Sequence, residues 1–165
     1  MAGGGGDGSA SGAGAGAGAG SGRLSPAGRA LGLDVGSKTI GVAVSDPLGL
    51  TAQPVETVRR SGRRADAEAV AKIARQKDAR RIVVGLPLRT DGGEGPEAAE
   101  ARRMAEAVAA LLPGIELHMQ DERFTTAQAE RMLVAADVRR QKRREVVDTV
   151  AAVLILQGWL DSQGR

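Results

Sequence analysis

The apolar positions in the first part of this chain fall into short runs that predict strands. Residues 30–34, 39–45 and 52–58 are strand-like and are separated by short connections, a pattern typical of a three-stranded meander. Pro54 predicts that the third strand lies at an edge of the sheet, because proline cannot donate a ladder hydrogen bond.

The second part of the chain alternates strands with helices. Residues 81–85 form an apolar run typical of a buried strand, and residues 115–120 alternate apolar with polar side chains. Helical spacing predicts four helices, over residues 64–77, 96–112, 125–136 and 143–160. The resulting order, β-β-β-α-β-α-β-α-α, predicts an α/β fold. Two parallel strands, reached by right-handed crossovers, would join the meander in a mixed five-stranded sheet with helices on both faces.

Three carboxylates stand where their apolar neighbours make a purely structural role difficult to explain. Asp34 lies in the first apolar run, Glu122 follows the strand 115–120, and Asp148 is flanked by valines. A buried ionised carboxylate costs several kcal/mol unless a cation or hydrogen bonds compensate it. Three acids so far apart in the chain could converge on one or two divalent cations, and oxygen-only ligation suits Mg²⁺ or Mn²⁺. This arrangement predicts phosphodiester hydrolysis by metal-activated water.

Each acid also has an ordinary explanation. Asp34 could cap a turn, and Glu122 could pair with Arg123. Asp148 could be a favourable charge near a helix N-terminus, where it would contribute ~0.3–1 kcal/mol. The glycine-rich segment 34–41 also resembles the phosphate-holding hairpin of actin-like ATPases and sugar kinases. Those enzymes need two such lobes around the nucleotide, and this chain has room for one.

Composition separates a tail from a domain. Residues 3–22 are almost entirely Gly, Ala and Ser, so burial of side chains cannot offset the entropy lost on ordering them. We therefore expect a disordered tail over residues 1–29 and one domain over residues 30–162. No run is long enough to span a membrane. The 165 residues include no Cys and one His, which argues against disulfides and zinc sites and predicts a cytoplasmic location by default.

The formal net charge is +3, and the basic residues form two clusters, over residues 59–64 and 139–144. Such clusters are typical of proteins that bind polyanions, although short charge runs are more often solvated helix ends. Phe124 and Trp159 are the only aromatic residues, so recognition would rest on phosphates and nucleic-acid shape rather than on base stacking. The residues that we predict to contact nucleic acid are Arg123, Arg139, Arg140, Lys142, Arg143 and Arg144.

Several motifs together resemble the YqgF (RuvX-like) family over nearly all of residues 30–162. They are Leu33-Asp34-Val35-Gly36, Ile40-Gly41-Val42-Ala43, Val84-Gly85-Leu86-Pro87-Leu88, Asp91-Gly92, Asp121-Glu122-Arg123-Phe124-Thr125-Thr126 and Val147-Asp148-Thr149-Val150-Ala151-Ala152. The resemblance implies an RNase H-like fold, with Asp34, Glu122 and Asp148 as the catalytic acids. It also implies a nuclease of precursor 16S rRNA or a Holliday junction resolvase. The family loop often reads Leu-Asn-Met-Asp-Gly, whereas this chain has Arg89 and Thr90 in place of Asn and Met.

The leading hypothesis is a metal-dependent endonuclease in which Asp34, Glu122 and Asp148 hold Mg²⁺ or Mn²⁺. It would hydrolyse structured nucleic acid and, as the resemblance implies, process the 5′ end of pre-16S rRNA during ribosome biogenesis. One alternative is a Holliday junction resolvase in DNA recombination and repair, which would act as a homodimer because junction cleavage needs two active sites. The other is a non-catalytic nucleic-acid-binding factor of ribosome assembly. The choice between RNA and DNA, and between monomer and homodimer, stays open at this point.

Overall fold

The computed structural model describes residues 28–122 and 140–163, with side chains in the last helix described from residue 149 onward. Five strands and three helices make up this described part of the chain. In order they are β1 (Arg29–Val35), β2 (Thr39–Ser45), β3 (Ala52–Arg59), α1 (Arg63–Gln76), β4 (Ala79–Leu86), α2 (Pro96–Ala110), β5 (Glu116–Asp121) and α3 (Arg140–Gln163). The predicted helix over residues 125–136 and most of the predicted tail lie outside the described residues.

The five strands form one mixed sheet in the order β3-β2-β1-β4-β5. The pairs β1–β2 and β2–β3 are antiparallel, whereas β1–β4 and β4–β5 are parallel. The predicted fold class is therefore confirmed, including the edge position of the strand that contains Pro54. One cross-strand row is important for the site, because Asp34 faces Gly41 on β2 and Gly41 faces Thr57 on β3.

The two faces of the sheet carry different helices. The larger core cluster joins alternate residues of β1, such as Leu31 and Leu33, to α1 and α2. The smaller cluster joins Ala30 and residues of β2 and β4 to α3. Side chains alternate between faces along a strand, so Asp34 lies on the face that α3 covers.

Glycines in the central strands let α3 lie close to the sheet. A β-carbon built at Gly32 would be 2.7 Å from Leu156 Cβ and 3.0 Å from the carbonyl oxygen of Ala152. Side chains essentially never pack at the shorter of these distances, so a larger residue would push the helix away. Glycine at this position therefore sets the height of α3 above the strand that carries Asp34.

The start of α3 differs from the sequence-based expectation. The described helix already includes Arg140, three residues before the predicted start, in keeping with the good helix-forming tendency of arginine, glutamine and lysine. Asp148 consequently lies in the third turn rather than near the N-terminus. Since the helix dipole acts mainly within the first turn, the dipole explanation for Asp148 loses its basis.

The end of α2 also differs from its prediction. The helix stops at Ala110, where backbone bonds from Leu111 to Val108 (3.0 Å) and from Leu112 to Ala109 (3.1 Å) tighten the last turn. Leu112 is buried, but Leu111 is 36% exposed and leaves the apolar face. In the part of the chain that the structure describes, no helix is long and apolar enough to cross a membrane.

Candidate active site

Two of the three predicted acids meet at one edge of the sheet. Asp34 lies near the carboxyl end of β1, and Glu122 follows β5 directly. Because β1, β4 and β5 are parallel, their carboxyl ends lie at the same edge. The Glu122 backbone N–H donates to the Leu86 carbonyl (3.2 Å), which holds Glu122 against the end of β4. Both acids are buried, with Asp34 9% and Glu122 8% exposed.

Gly85 on β4 provides the space that the Glu122 carboxyl occupies. A β-carbon at position 85 would be 2.6 Å from Glu122 Oε2 and 2.5 Å from Ile155 Cδ1 on α3. The carboxyl group of Glu122 therefore lies over the backbone of Gly85, beneath α3. Any side chain at position 85 would displace the carboxyl, the helix or both.

The environment of Glu122 disfavours its charged form. Burial, the negative charge of Asp34, a hydrogen bond with Asp34 and the charge of Asp121 together raise the pKa of Glu122 to about 9. Glu122 Oε2 is buried and has no hydrogen-bond partner in the described part of the chain. Leaving a buried acceptor unpaired costs ~1–3 kcal/mol, and none of the described residues offsets this cost.

A divalent cation fits these two residues. The pair offers hard oxygen donors, an excess of negative charge and an oxygen atom that lacks a partner among the described residues. Among the described residues, no group of three acidic, His or Cys side chains comes together. The side chain of Asp148 is not among those described, so its place in a triad stays a prediction.

The backbone of α3 next to Asp148 is nevertheless held over the cross-strand row that contains Asp34, Gly41 and Thr57. Thr149, the following residue, shares a hydrogen bond of 2.9 Å between its Oγ1 and Thr57 Oγ1. Thr57 faces Gly41, which faces Asp34, so the tie lies about two strand spacings, ~10 Å, from Asp34. Gln157 forms a second tie to β3, accepting from the Ala52 N–H at 2.9 Å.

The predicted nucleic-acid contacts of the second basic cluster are not tested by this structure. Arg123 and Arg139 lie outside the described residues. The remaining four lie at the start of α3, where side chains are not described; they are Arg140, Lys142, Arg143 and Arg144.

Two arginines of the first basic cluster, Arg60 and Arg63, form ion pairs with acids of the helical layer. Arg60 donates to Asp66 and to Glu100, both at 2.8 Å, and Arg63 donates to Glu100 at 2.8 Å. Arg60 and Arg63 therefore form ion pairs within the fold, and do not provide the polyanion contact that was one of the two explanations of this cluster.

Sequence reasoning missed Asp66, a buried acid in the first turn of α1. Burial alone raises the pKa of Asp66, but hydrogen bonds from the Ser61 N–H, the Arg60 side chain and the Gly62 N–H outweigh it and lower that pKa. The signal was the sequence Ser61-Gly62 before a helix with an acid in its first turn. The contact of Gly85 with Glu122 and the bond between Thr57 and Thr149 had no comparable signal.

Comparison with known proteins agrees with this architecture. The family model described as RuvX: Holliday junction resolvase matches residues 28–162. A Myxococcus xanthus protein named "Putative pre-16S rRNA nuclease" is 53% identical over 134 residues, covering 81% of this chain and 88% of that protein. A Clostridioides difficile protein of the same name is 51% identical over 134 residues, covering 81% and 94%.

Solved structures of resolvases share the fold. The fowlpox virus resolvase bound to Holliday junction DNA has a TM-score of 0.53 at 9% identity, covering 83% of this chain and 99% of that chain. Thermus thermophilus RuvC bound to a Holliday junction has a TM-score of 0.50 at 17% identity, covering 82% and 94%. These likenesses show the RNase H-like fold. Since the family model matches almost all the described residues and the curated relatives are about half identical across them, this chain belongs to the RuvX family.

Proposed function

We propose that this protein is a divalent-metal-dependent endonuclease that processes the 5′ end of precursor 16S rRNA. Nuclease activity is common to the family description and the names of the curated relatives, and the relatives' names support the RNA substrate. The metal dependence rests on one observation. Asp34 and Glu122 are buried against each other, with a raised Glu122 pKa and a Glu122 Oε2 that no described residue pairs with.

In this proposal Asp34 and Glu122, together with Asp148 from α3, hold Mg²⁺ or Mn²⁺. When bound, the cation supplies an activated water as the nucleophile and stabilises the charge on the leaving oxygen. Asp34 is held by the ladders on both sides of β1, and Glu122 by its backbone bond to Leu86. Without a cation the two carboxyls hold a proton, which has to leave because carboxylates bind metals as anions.

The same edge of the sheet carries exposed cations that suit phosphate contacts. Lys38 lies in the turn between β1 and β2, Arg59 ends β3, and Arg89 lies in the loop after β4. None of the three forms an ion pair with another residue that the structure describes, unlike Arg60 and Arg63. We name Lys38, Arg59 and Arg89 the phosphate rim. They would act with the predicted cations of residues 123 and 139–144 to bind the nucleic-acid backbone.

A four-way DNA junction is the second candidate substrate, and the description of the family model favours it. Resolution of a junction requires two cuts, so this activity would need a homodimer with two sites. Precursor rRNA requires only one site.

The test is a cleavage assay with the full chain on 5′-extended 16S rRNA, a four-way DNA junction and a single-stranded control, with Mg²⁺ or with chelator. We expect Mg²⁺-dependent cleavage of the precursor RNA. Asp34→Asn should abolish cleavage while retaining binding, because it removes a metal ligand and a negative charge near phosphate.

Thermal melts of the same two proteins check the metal site itself. Without metal, Asp34→Asn should melt at a higher temperature than wild type, because it relieves the crowding of the two acids. Mg²⁺ should stabilise the wild type more than the variant.

In the cleavage assay, preferential cleavage of the junction would support the second candidate. Binding without cleavage of any substrate would instead indicate a non-catalytic assembly factor.

A further inference from the structure

Arg60, just after β3, makes an unusually complete set of contacts. Its Nε donates to Asp66 Oδ2, its Nη2 to Glu100 Oε1 and its Nη1 to the Gly36 carbonyl, each at 2.8 Å. Its backbone N–H donates to the Lys38 carbonyl at 2.8 Å. The side chain is 16% exposed, so these contacts lie largely away from solvent.

Two of these contacts fix the turn that follows Asp34. Gly36 is two residues beyond Asp34, and Lys38 lies in the same turn, immediately before β2. The Gly36 N–H also donates to the Thr39 carbonyl at 2.8 Å, which closes the turn. Arg60 therefore binds this turn from outside, through its side chain at Gly36 and its backbone at Lys38.

The other contacts anchor Arg60 to the helical layer on the opposite face from α3. Asp66 belongs to α1 and is 1% exposed, with Oδ1 accepting from the Ser61 N–H at 2.9 Å. Glu100 belongs to α2 and accepts from Arg63 as well. Hydrogen bonds from Arg63 and Arg60 lower the Glu100 pKa to about 2, so both partners of the guanidinium carry negative charge at neutral pH.

We propose that Arg60 is a positioning residue for the active site, and that it aims the Asp34 carboxyl toward Glu122 by tying the turn after β1 to α1 and α2. This inference rests on the proposed function, in which Asp34 is a metal ligand. Two carboxylates would be enough for an ion-pair network that only stabilises the fold. The third direction of the planar guanidinium is instead directed at the Gly36 carbonyl, a geometry that lysine cannot reproduce.

Arg60→Lys tests this proposal because it keeps the positive charge and removes the planar guanidinium with its three directions of hydrogen bonding. The matched control is Arg63→Gln, which removes an ion pair from the same Glu100 but does not contact the turn. Three quantities are measured on the full chain: amide hydrogen exchange of residues 36–39, the Mg²⁺-induced shift in Tm, and kcat and KM for cleavage.

For Arg60→Lys we expect faster exchange in residues 36–39 and a smaller Mg²⁺-induced shift in Tm. We expect kcat to fall about 10–100-fold, as for other residues that orient metal ligands. KM should change by less than about twofold, since uniform substrate binding is retained. Arg63→Gln should lower Tm while leaving the exchange of the turn, the Mg²⁺ response and kcat as in wild type.

Wild-type exchange in the turn and a wild-type Mg²⁺ response in Arg60→Lys would overturn the inference, even if Tm falls. If that variant does not fold, Glu100→Ala, which removes the α2 acceptor of the guanidinium, should give the same changes to a smaller extent, and an unchanged turn would again contradict the proposal. If the wild type binds Mg²⁺ but cleaves nothing, the proposed function fails while exchange and the Mg²⁺ response still decide the role of Arg60.

Discussion

The buried contact between Asp34 and Glu122 cannot be explained as a stabilising interaction. Burial and mutual repulsion raise the Glu122 pKa to about 9, and Oε2 of Glu122 has no partner among the described residues. Among the described residues, the fold thus carries an unfavourable site that a bound cation would compensate, a common relation between stability and activity.

Gly85 should be intolerant of even one added carbon. In Gly85→Ala the new methyl would overlap Glu122 Oε2 and Ile155 Cδ1. We expect a loss of ~1–3 kcal/mol in the free energy of unfolding, as for overpacked cores. We also expect Mg²⁺-dependent cleavage to fall, because the Glu122 carboxyl is displaced. Urea denaturation and the cleavage assay measure the two effects.

Gly158→Ala on α3 is the matched control. Its nearest neighbour would be Gln120 Nε2 at 3.4 Å, an ordinary contact with a flexible side chain. Alanine in a helix interior gains ~0.5–1 kcal/mol over glycine, so this variant should be more stable and fully active. Equal behaviour of the two variants would show that the space above Gly85 is not specific to Glu122.

Glu100 should make the free energy of unfolding depend on pH in the acid range. Its folded-state pKa of about 2 lies below the ordinary value of 4.5, so its charge stabilises the fold above pH 4.5 and this stabilisation is lost as pH falls toward 2. Allowing for solvent screening, the loss in Glu100→Gln at pH 7 should be ~1–2 kcal/mol. Urea denaturation from pH 7 to acid should show the difference between wild type and variant shrinking below pH 4.5. A difference that does not change with pH would show that the pairs with Arg60 and Arg63 contribute little.

At the scale of single residues, the sequence predicted acids in apolar surroundings but not the contacts around them. Asp34 stood out because its neighbours in the chain are apolar. Asp66 did not, because an acid in the first turn of a helix is usually solvated, and Glu100, the other acid that accepts from Arg60, is 34 residues away. The space that Gly85 leaves depends on a carboxyl and a helix that only the three-dimensional packing brings together.

Among the elements, α3 depends on its ties to the far edge of the sheet. The bond between Thr57 and Thr149 joins β3 to the turn of α3 that carries Asp148. The glycine at position 32 sets the height of the same helix. The bond between Thr57 and Thr149 thus fixes the position of α3 along its axis, whereas Gly32 fixes the distance between α3 and the sheet.

Thr57→Val should therefore affect both stability and catalysis. It preserves the shape of the side chain and removes the hydroxyl that bonds to Thr149, at an expected cost of ~0.5–1.5 kcal/mol. We also expect a higher Mg²⁺ requirement for cleavage, because the helix segment around Asp148 is loosened. Activity as a function of Mg²⁺ concentration measures this change. Thr57→Ser, which keeps the hydroxyl, should behave as wild type, and equal impairment of both variants would refute the positioning role.

The beginning of α3 illustrates why element boundaries were less predictable than elements. The basic run at residues 139–144 is compatible with a turn, a helix cap or a helix interior, since arginine and lysine are exposed in all three. The bounds of β2, by contrast, were predicted to the residue, because short connections delimit a regular apolar run on both sides.

For the whole molecule, the mixed sheet followed from connectivity, but its strand order did not. Short connections predicted that β1, β2 and β3 are neighbours, and right-handed crossovers predicted two parallel strands; the structure shows that β4 and β5 both lie beyond β1. This topology brings the turn after β1, the end of β3 and the loop after β4 to one edge. The phosphate rim is a consequence of that arrangement: Arg59 belongs to the first basic cluster of the sequence, but Lys38 and Arg89 lie outside both clusters.

The rim makes a prediction about nucleic-acid binding. Replacing Lys38, Arg59 and Arg89 together with Gln should weaken binding and reduce the slope of log affinity against log salt by ~0.7–0.9 for each phosphate that is no longer neutralised. Replacing Lys72, Arg75 and Arg80, which lie on α1 or at the start of β4, gives the same change in net charge away from that edge. Fluorescence anisotropy over a salt series compares the two triple variants. Equal slopes in both would place the substrate elsewhere on the surface.

The position of α3 at the end of the chain order has a consequence for biosynthesis. All five strands leave the ribosome before α3, so a nascent chain exposes the face of Gly32 and Gly85 until that helix has been made and has docked. The predicted third acid, Asp148, arrives with the same helix. A half-made chain would thus contain the sheet but not all three predicted acids, so the proposed site could form only after α3 has been made.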